Sequence, residues 1–257
     1  MSLVLVSGSF HAASAQRYGR NPDYVQNPFV QNIPYDGRFT FARLSYTTGE
    51  GGYYYRGLPS WAHGYDLAER NLMQIVNLLS TVHPRLERGV VYNLDDPELF
   101  NYPICYMTEA GYWTLTDKEA VAFRKYLLKG GFVIFDDFRD EYRNPNPLGG
   151  YGNFRANLLR ILPDARIVDL TPKDPIFHSF YEINDFGIIH QYYDRGAPVL
   201  QGVYVDNDPS KRLLAMINFN TDVSNYWEFS GTGSRPIPES NEAYKLGVNY
   251  LIYAMSH

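Results

Sequence analysis

One stretch limits the fold more than any other: Thr116 to Phe138, TDKEAVAFRKYLLKGGFVIFDDF. It opens with a capping box, in which Thr116 accepts from the backbone N–H of Glu119 and the Glu119 side chain reaches back to Thr116. Ala120, Phe123 and Leu127 then recur at helical spacing, with Lys125 and Lys129 near the carbonyl end of the helix dipole. Gly130-Gly131 stops the helix, because glycine adopts the left-handed cap freely. Phe132-Val133-Ile134-Phe135 follows as a short, wholly apolar run, the pattern of a strand covered on both faces in a parallel sheet. The run ends in two adjacent carboxylates, Asp136 and Asp137. Ligands of open α/β sheets sit beyond the carboxyl ends of the strands, so the pair marks a place as well as a fold.

The rest of the chain repeats this alternation. Phe39 to Tyr46 predicts a first strand, with Phe39, Phe41 and Ala42 set against Thr40 and Arg43. Asp66 to Val82 predicts a helix whose inward face holds Ala68, Leu72, Ile75, Val76, Leu79 and Val82. Gly89–Leu94 and Pro103–Thr108 predict strands, with Asp95-Asp96-Pro97 turning the chain between them. Asn153–Leu162 is read as a helix with Phe154, Leu158 and Ile161 inward, and Arg166–Leu170 as a strand. Beyond it, Ile188–Tyr193, Gly202–Val205 and Leu213–Asn218 look like strands joined by polar turns, and Glu239–Met255 is a closing helix. The expected architecture is α/β: three α/β/α layers with a mainly parallel sheet and an antiparallel extension in the C-terminal half.

Three segments are expected. Residues 1–15 resemble the remnant of an atypical or truncated signal peptide, with Ala13-Ser14-Ala15 before Gln16 but no basic residue ahead of Leu3–Val6. Residues 16–37 form a polar linker or strap, and 38–257 a single α/β domain. The leader predicts a periplasmic or extracellular location, or a cytoplasmic one if it is not a signal. A net charge of −5 without basic runs argues against nucleic acid. No stretch approaches the roughly 20 apolar residues of a membrane span. With 23 tyrosines the chain is rich in half-polar rings; Tyr53-Tyr54-Tyr55, Trp61 and Tyr65 would suit an aromatic platform. No motif requires a cofactor.

The order of motifs resembles a family of uncharacterised bacterial domains, catalogued as a domain of unknown function, whose fold looks like that of class I glutamine amidotransferases. The resemblance rests on FTFARLSY, Trp61 with Asp66 and Glu69, YPICYMTEAG, LTDKEAVAFRKYLLKGGFVIFDDF, DPIFHSFYEI, and GVYVDNDPSKRLLAMINFNTDVSNYWEF, spanning most of residues 38–255. It implies a flavodoxin-like sheet, frequent export and no assigned reaction. In true amidotransferases a cysteine sits on a Gly-x-Cys-x-Gly elbow. The comparable turn here is Ile134–Phe138, which has neither residue type. The lone Cys105 lies within an apolar strand and reads as a small buried hydrophobe.

Candidate site residues gather at the strand ends. Asp137, Glu109 and His190 are the catalytic candidates: one of the Asp pair faces a cleft, and Glu109 is the nearest acid that could join it to hold a hard cation or do acid–base work. The other Asp is expected to cap a loop or pair with Arg139 or Arg143. Asp136, Asp137, Arg139, Trp61, His63, Asp66, Asn220 and Asp222 are ligand-binding candidates, although Asn218, Asn220 and Asp222 equally suit an Asx turn. The loop Tyr142–Gly152 would be a site wall. There is no zincin helix and no Gly-x-Ser-x-Gly elbow. The leading expectation is an exported, non-catalytic domain that binds a ligand or protein near Asp137. The alternatives are a metal-assisted or acid–base hydrolase acting on a glycan or peptide, and an assembly component using a tyrosine-rich surface.

Overall fold

A computed structural model describes residues 31–50, 52, 54–55, 58–140, 150–190 and 196–257. In chain order the strands are β1 (Ala42–Ser45), β2 (Tyr54–Tyr55), β3 (Leu58–Pro59), β4 (Val90–Asn93), β5 (Ile104–Thr108), β6 (Phe132–Phe138), β7 (Val168–Asp169), β8 (Val199–Tyr204) and β9 (Leu213–Phe219). The helices are α1 (Leu67–Leu79), α2 (Asp117–Leu128), α3 (Gly150–Ile161), α4 (Val223–Glu228) and α5 (Ile237–Ser256). Seven strands form one sheet in the order β4-β1-β5-β6-β9-β8-β7, and β2 and β3 make a separate hairpin. From β4 to β9 the neighbours run parallel, while β8 and β7 add an antiparallel extension.

Helices cover both faces. On one side α2 and α3 pack over Cys105, Met107, Val133 and Phe135. On the other, α1, α4 and α5 pack over Ile104, Tyr106, Phe132 and Ile134. Alternate residues of each strand thus serve opposite cores, as the period of two requires. The capping box of α2 is present, with both Thr116 and Glu119 engaged, and Gly130 ends the helix at φ +119. Trp113 is fully buried against Phe135 and Phe154, with ring centroids 5.5 and 6.4 Å away. The exposed edge of β4 is closed by a side chain: Asn32 Nδ2 donates to Val91 O at 2.6 Å, and Val91 N donates to Asn32 Oδ1 at 2.8 Å. An amide that mimics a strand in this way removes a free pairing edge.

Several sequence expectations are corrected. Thr40, ahead of β1, and Arg43, on it, are buried like the apolar residues they alternate with. At the end of α1, Leu79 is exposed and Val82 only partly buried, since the helix stops at Leu79. Residues 187–189 form a 3-10 turn, not a strand; 191–193 lie outside the described residues. The short helix α4 was not anticipated at all, because six residues are too few to display a period. The proposed signal segment, Tyr53, Arg143 and most of the Tyr142–Gly152 loop lie outside the described residues, and of Tyr54 and Tyr55 only the backbone is described.

Candidate acidic site at the strand switch point

From β1 the chain passes through α1 to β4 on one side, then returns to place β5 on the other side of β1. The direction of winding reverses between β1 and β5, and the crevice outside such a reversal is where open α/β sheets bind ligands. Three elements deliver side chains to it. Glu109 follows β5, Asp137 lies near the end of β6, and His63 sits in the turn before α1. Glu109 and Asp137 both have φ 54, a left-handed conformation that lifts them out of strand alternation. The pairing of β6 with β9 shifts register between Phe135 and Phe138, around Asp137.

His63 Nδ1 lies 3.1 Å from Asp137 Oδ2 and 3.6 Å from Glu109 Oε1. One ligand atom from each of the three lies within 4.8 Å of the others. Glu109 and Asp137 are buried, whereas the His63 side chain keeps 26% of its exposure, so the group opens to solvent on the imidazole side. Burial pulls the His63 pKa down, but the hydrogen bond and charge of Asp137, backed by Asp222 and Glu228, overcome it and raise the value to about 9. Burial also opposes ionisation of Asp137; His63, a hydrogen bond from Glu109 and the charge of Arg139 nevertheless hold it below the usual carboxylate range. Glu109 is pushed well above that range by burial and by the negative charge of Asp137. The three groups bias one another: His63 is driven toward its cation, Asp137 toward its carboxylate and Glu109 toward its neutral form.

The neighbouring carboxylate is occupied differently. Asp136 accepts from Tyr106 Oη at 2.5 Å, Asn218 Nδ2 at 3.0 Å, Ser224 N at 2.9 Å and Val223 N at 3.3 Å. It ties β6 to β5, β9 and the first turn of α4. Asp222 caps the same helix, accepting from Asn225 N at 2.9 Å and Ser224 Oγ at 3.2 Å. Burial and the charges of Asp137 and Asp136 raise Asp222 well above its ordinary pKa.

The turn that carries His63 hangs from a buried cation. Arg43, wholly enclosed on β1, donates Nε to Glu69 Oε1 at 2.6 Å. Its Nη1 donates to both Trp61 O and His63 O at 3.0 Å. The guanidinium lies 4.8 Å from the ring centroid of Tyr106, the residue that bonds Asp136. Gly64, at φ +68, completes the turn; a Cβ there would stand 2.8 Å from Glu228 Oε2. That close approach brings Glu228 up against the His63 turn.

The structure thus brings Asp137, Glu109 and His63 together, with Asp222 and Arg139 electrostatically coupled to them. It does not bring in His190, whose side chain is exposed and whose carbonyl accepts from Tyr226 Oη at 2.8 Å. Asp66 is buried beside Arg70 and Glu69 rather than in the group. Asn220 donates to Ala197 O at 2.8 Å, in keeping with its turn role. Trp61 is buried in the His63 turn. Asp136, expected to cap a loop or pair with Arg139 or Arg143, accepts from Tyr106, Asn218 and the first turn of α4. Sequence reasoning missed Arg43, Glu69, Glu228 and Tyr46, whose hydroxyl donates to Glu109 O at 2.8 Å. Arg43 sat in the polar phase of a strand whose second face was not known to be covered.

An imidazole and two carboxylates at these separations match the donor set of a divalent cation. Without a cation the same three groups make an acid and a base in contact. No helix among the described residues is long and apolar enough to cross a membrane. No curated protein matches the chain. A family model described as Domain of unknown function (DUF4159) matches residues 40–255, most of the 257-residue length, so the chain belongs to that family.

Proposed function

We propose that the chain is a hydrolase whose reaction centre is Asp137, Glu109 and His63, assisted by a divalent cation that these three side chains hold. The observation carrying this reading is the approach of one ligand atom from each to within 4.8 Å, at the reversal point of the sheet. The arrangement favours a reaction over simple binding, since three titratable groups converge on one position and push one another's pKa values apart. His63, Glu109 and Asp137 would hold the cation, which would supply Lewis-acid activation of a water; a carboxylate of the group would take the proton that water gives up, and that proton would go on to the departing oxygen or nitrogen. In the amidotransferase-like reading of the fold, the turn Ile134–Phe138 that carries Asp137 is the one comparable to the cysteine elbow of those enzymes. Export belongs to the same proposal and rests on Ala13-Ser14-Ala15.

Isothermal titration of the full chain with Mn²⁺ and Zn²⁺, followed by assay on ester, amide and glycoside substrates with and without metal, tests it. Metal binding abolished by Asp137→Asn, with metal-dependent turnover, is the expected result. Absence of both metal binding and turnover in the wild type would overturn it.

A further inference from the structure

Beside the acidic group lies a cavity of roughly 510 Å³ at the carboxyl ends of β1 and β4. Its volume falls within the range of small-molecule sites. Two of its wall residues belong to the site's own scaffold. Tyr46 lines it and donates through Oη to the carbonyls of Thr108 and Glu109, at 3.1 and 2.8 Å. Trp61 lines it and lies two residues before His63, in the turn held by Arg43. Tyr46 and the Trp61–His63 turn are therefore shared between the cavity and the acidic group.

The chemistry of the lining restricts the occupant. Among the described residues that line it none is Lys, Arg or His, which disfavours a phosphate, sulfate or carboxylate. Its two acids serve as caps: Asp96 Oδ1 accepts from Glu98 N at 2.9 Å, and Glu119 Oε2 accepts from Thr116 N at 2.7 Å. They add a negative field that repels anions. Around them stand the carboxamides of Asn32 and Asn93, aliphatic hydroxyls, and the rings of Tyr46, Trp61 and Tyr92. Ser45 Oγ donates to Asn93 Oδ1 at 2.6 Å, which fixes the orientation of that amide. Among the described residues no bond engages Asn93 Nδ2, and Asn93 is exposed. Amide donors, carboxyl acceptors and ring edges together suit a ligand with many hydroxyls, no charge and apolar C–H faces.

We infer that this cavity is the recognition subsite of the hydrolytic centre, and that it takes a neutral saccharide. The inference rests on the reading of the Asp137 group as a reaction centre, and it narrows the substrate from glycan or peptide to an uncharged glycan.

The test is calorimetric and uses the full chain without added metal. Cellotriose, maltotriose and chitotriose are the neutral probes; trigalacturonate and trialanine are the anionic and peptidic controls. At least one neutral trisaccharide should bind with a Kd of about 1 mM or tighter. Asn93→Ala should weaken it by about tenfold, the loss of one hydrogen bond to the saccharide. Asp137→Asn should leave saccharide affinity within about twofold while removing metal binding, which separates the two readings. Binding of metal without binding of any neutral trisaccharide would overturn the subsite and leave the centre standing. Equal or tighter binding of trigalacturonate or trialanine, or an unchanged affinity in Asn93→Ala, would also overturn it.

Discussion

Asp136 and Asp137 leave the same strand one residue apart, and their surroundings could hardly differ more. Asp136 turns toward α4, where a phenol, a carboxamide and two backbone amides converge on it. Burial lifts its pKa to about 6 even so. Asp137 turns up at φ 54 into a crevice where its partners are themselves titratable: an imidazole and a second carboxyl. Donors that hold on to their protons make a joint. Partners that can exchange protons, or give way to a cation, make a site. Burial alone does not distinguish the two, since Asp136 is wholly buried and Asp137 keeps only 3% of its exposure.

The largest way to break this contrast is to remove the joint. Asp136→Ala leaves the Tyr106 hydroxyl, the Asn218 amide and the Ser224 N–H without their acceptor in the interior. It should cost about 3–5 kcal/mol of stability, measured by chemical denaturation. If the loss were below about 1 kcal/mol, Asp136 would not be the tie between β6 and α4. Asp137→Asn should behave in the opposite manner. Asparagine tolerates the left-handed backbone at this position, so stability should change by no more than about 1 kcal/mol. Divalent-metal affinity, in contrast, should fall about 100-fold or more. A variant that unfolded rather than lost metal would make Asp137 a second joint.

A smaller effect is expected from the support beneath His63. Arg43→Lys keeps a buried positive charge but cannot bond Glu69 and the carbonyls of Trp61 and His63 together. The His63 turn should loosen, lowering its pKa from about 9 toward the ordinary imidazole value as the bond to Asp137 weakens. Histidine NMR titration reads this directly, and metal affinity should drop about tenfold. An unmoved His63 titration in a folded Arg43→Lys protein would show that the turn holds itself.

The sheet, four of the five helices and the rim were legible because they rest on local rules. The capping box at Thr116, the glycine stop at Gly130 and the apolar run of β6 each have one conformational answer. Glu109 and Asp137 could be placed together because both end adjacent parallel strands. The partner imidazole could not be chosen. His63 reaches Asp137 across 74 positions of sequence, through a turn with no periodicity, and no pattern in the sequence marks it above His190 as the catalytic candidate. Arg43 was hidden for a related reason. A polar residue in a strand reads as solvent-facing until the helix that covers it, and the Glu69 it meets, are known. Pairings set by tertiary packing leave no local trace.

Asp66 sharpens the comparison from a third direction. It is as deeply buried as Asp136 and has none of its donors; Arg70 Nε lies 3.1 Å from Oδ1 but out of line for a hydrogen bond. Burial, then the charge of Glu69, raises its pKa from 3.8 to about 6. A carboxyl whose pKa is higher folded than unfolded binds more protons in the folded state. Its stabilising contribution is full below about pH 3.8 and disappears as pH rises through about 6. Asp66→Asn removes the ionisation that the fold resists. It should therefore raise stability by about 1–3 kcal/mol at pH 8, and leave it nearly unchanged at pH 4, in denaturation curves run at both values. A destabilised Asp66→Asn at pH 8 would mean that ionised Asp66 is held by its ion contact with Arg70, and that charge partners can replace aligned donors in this interior.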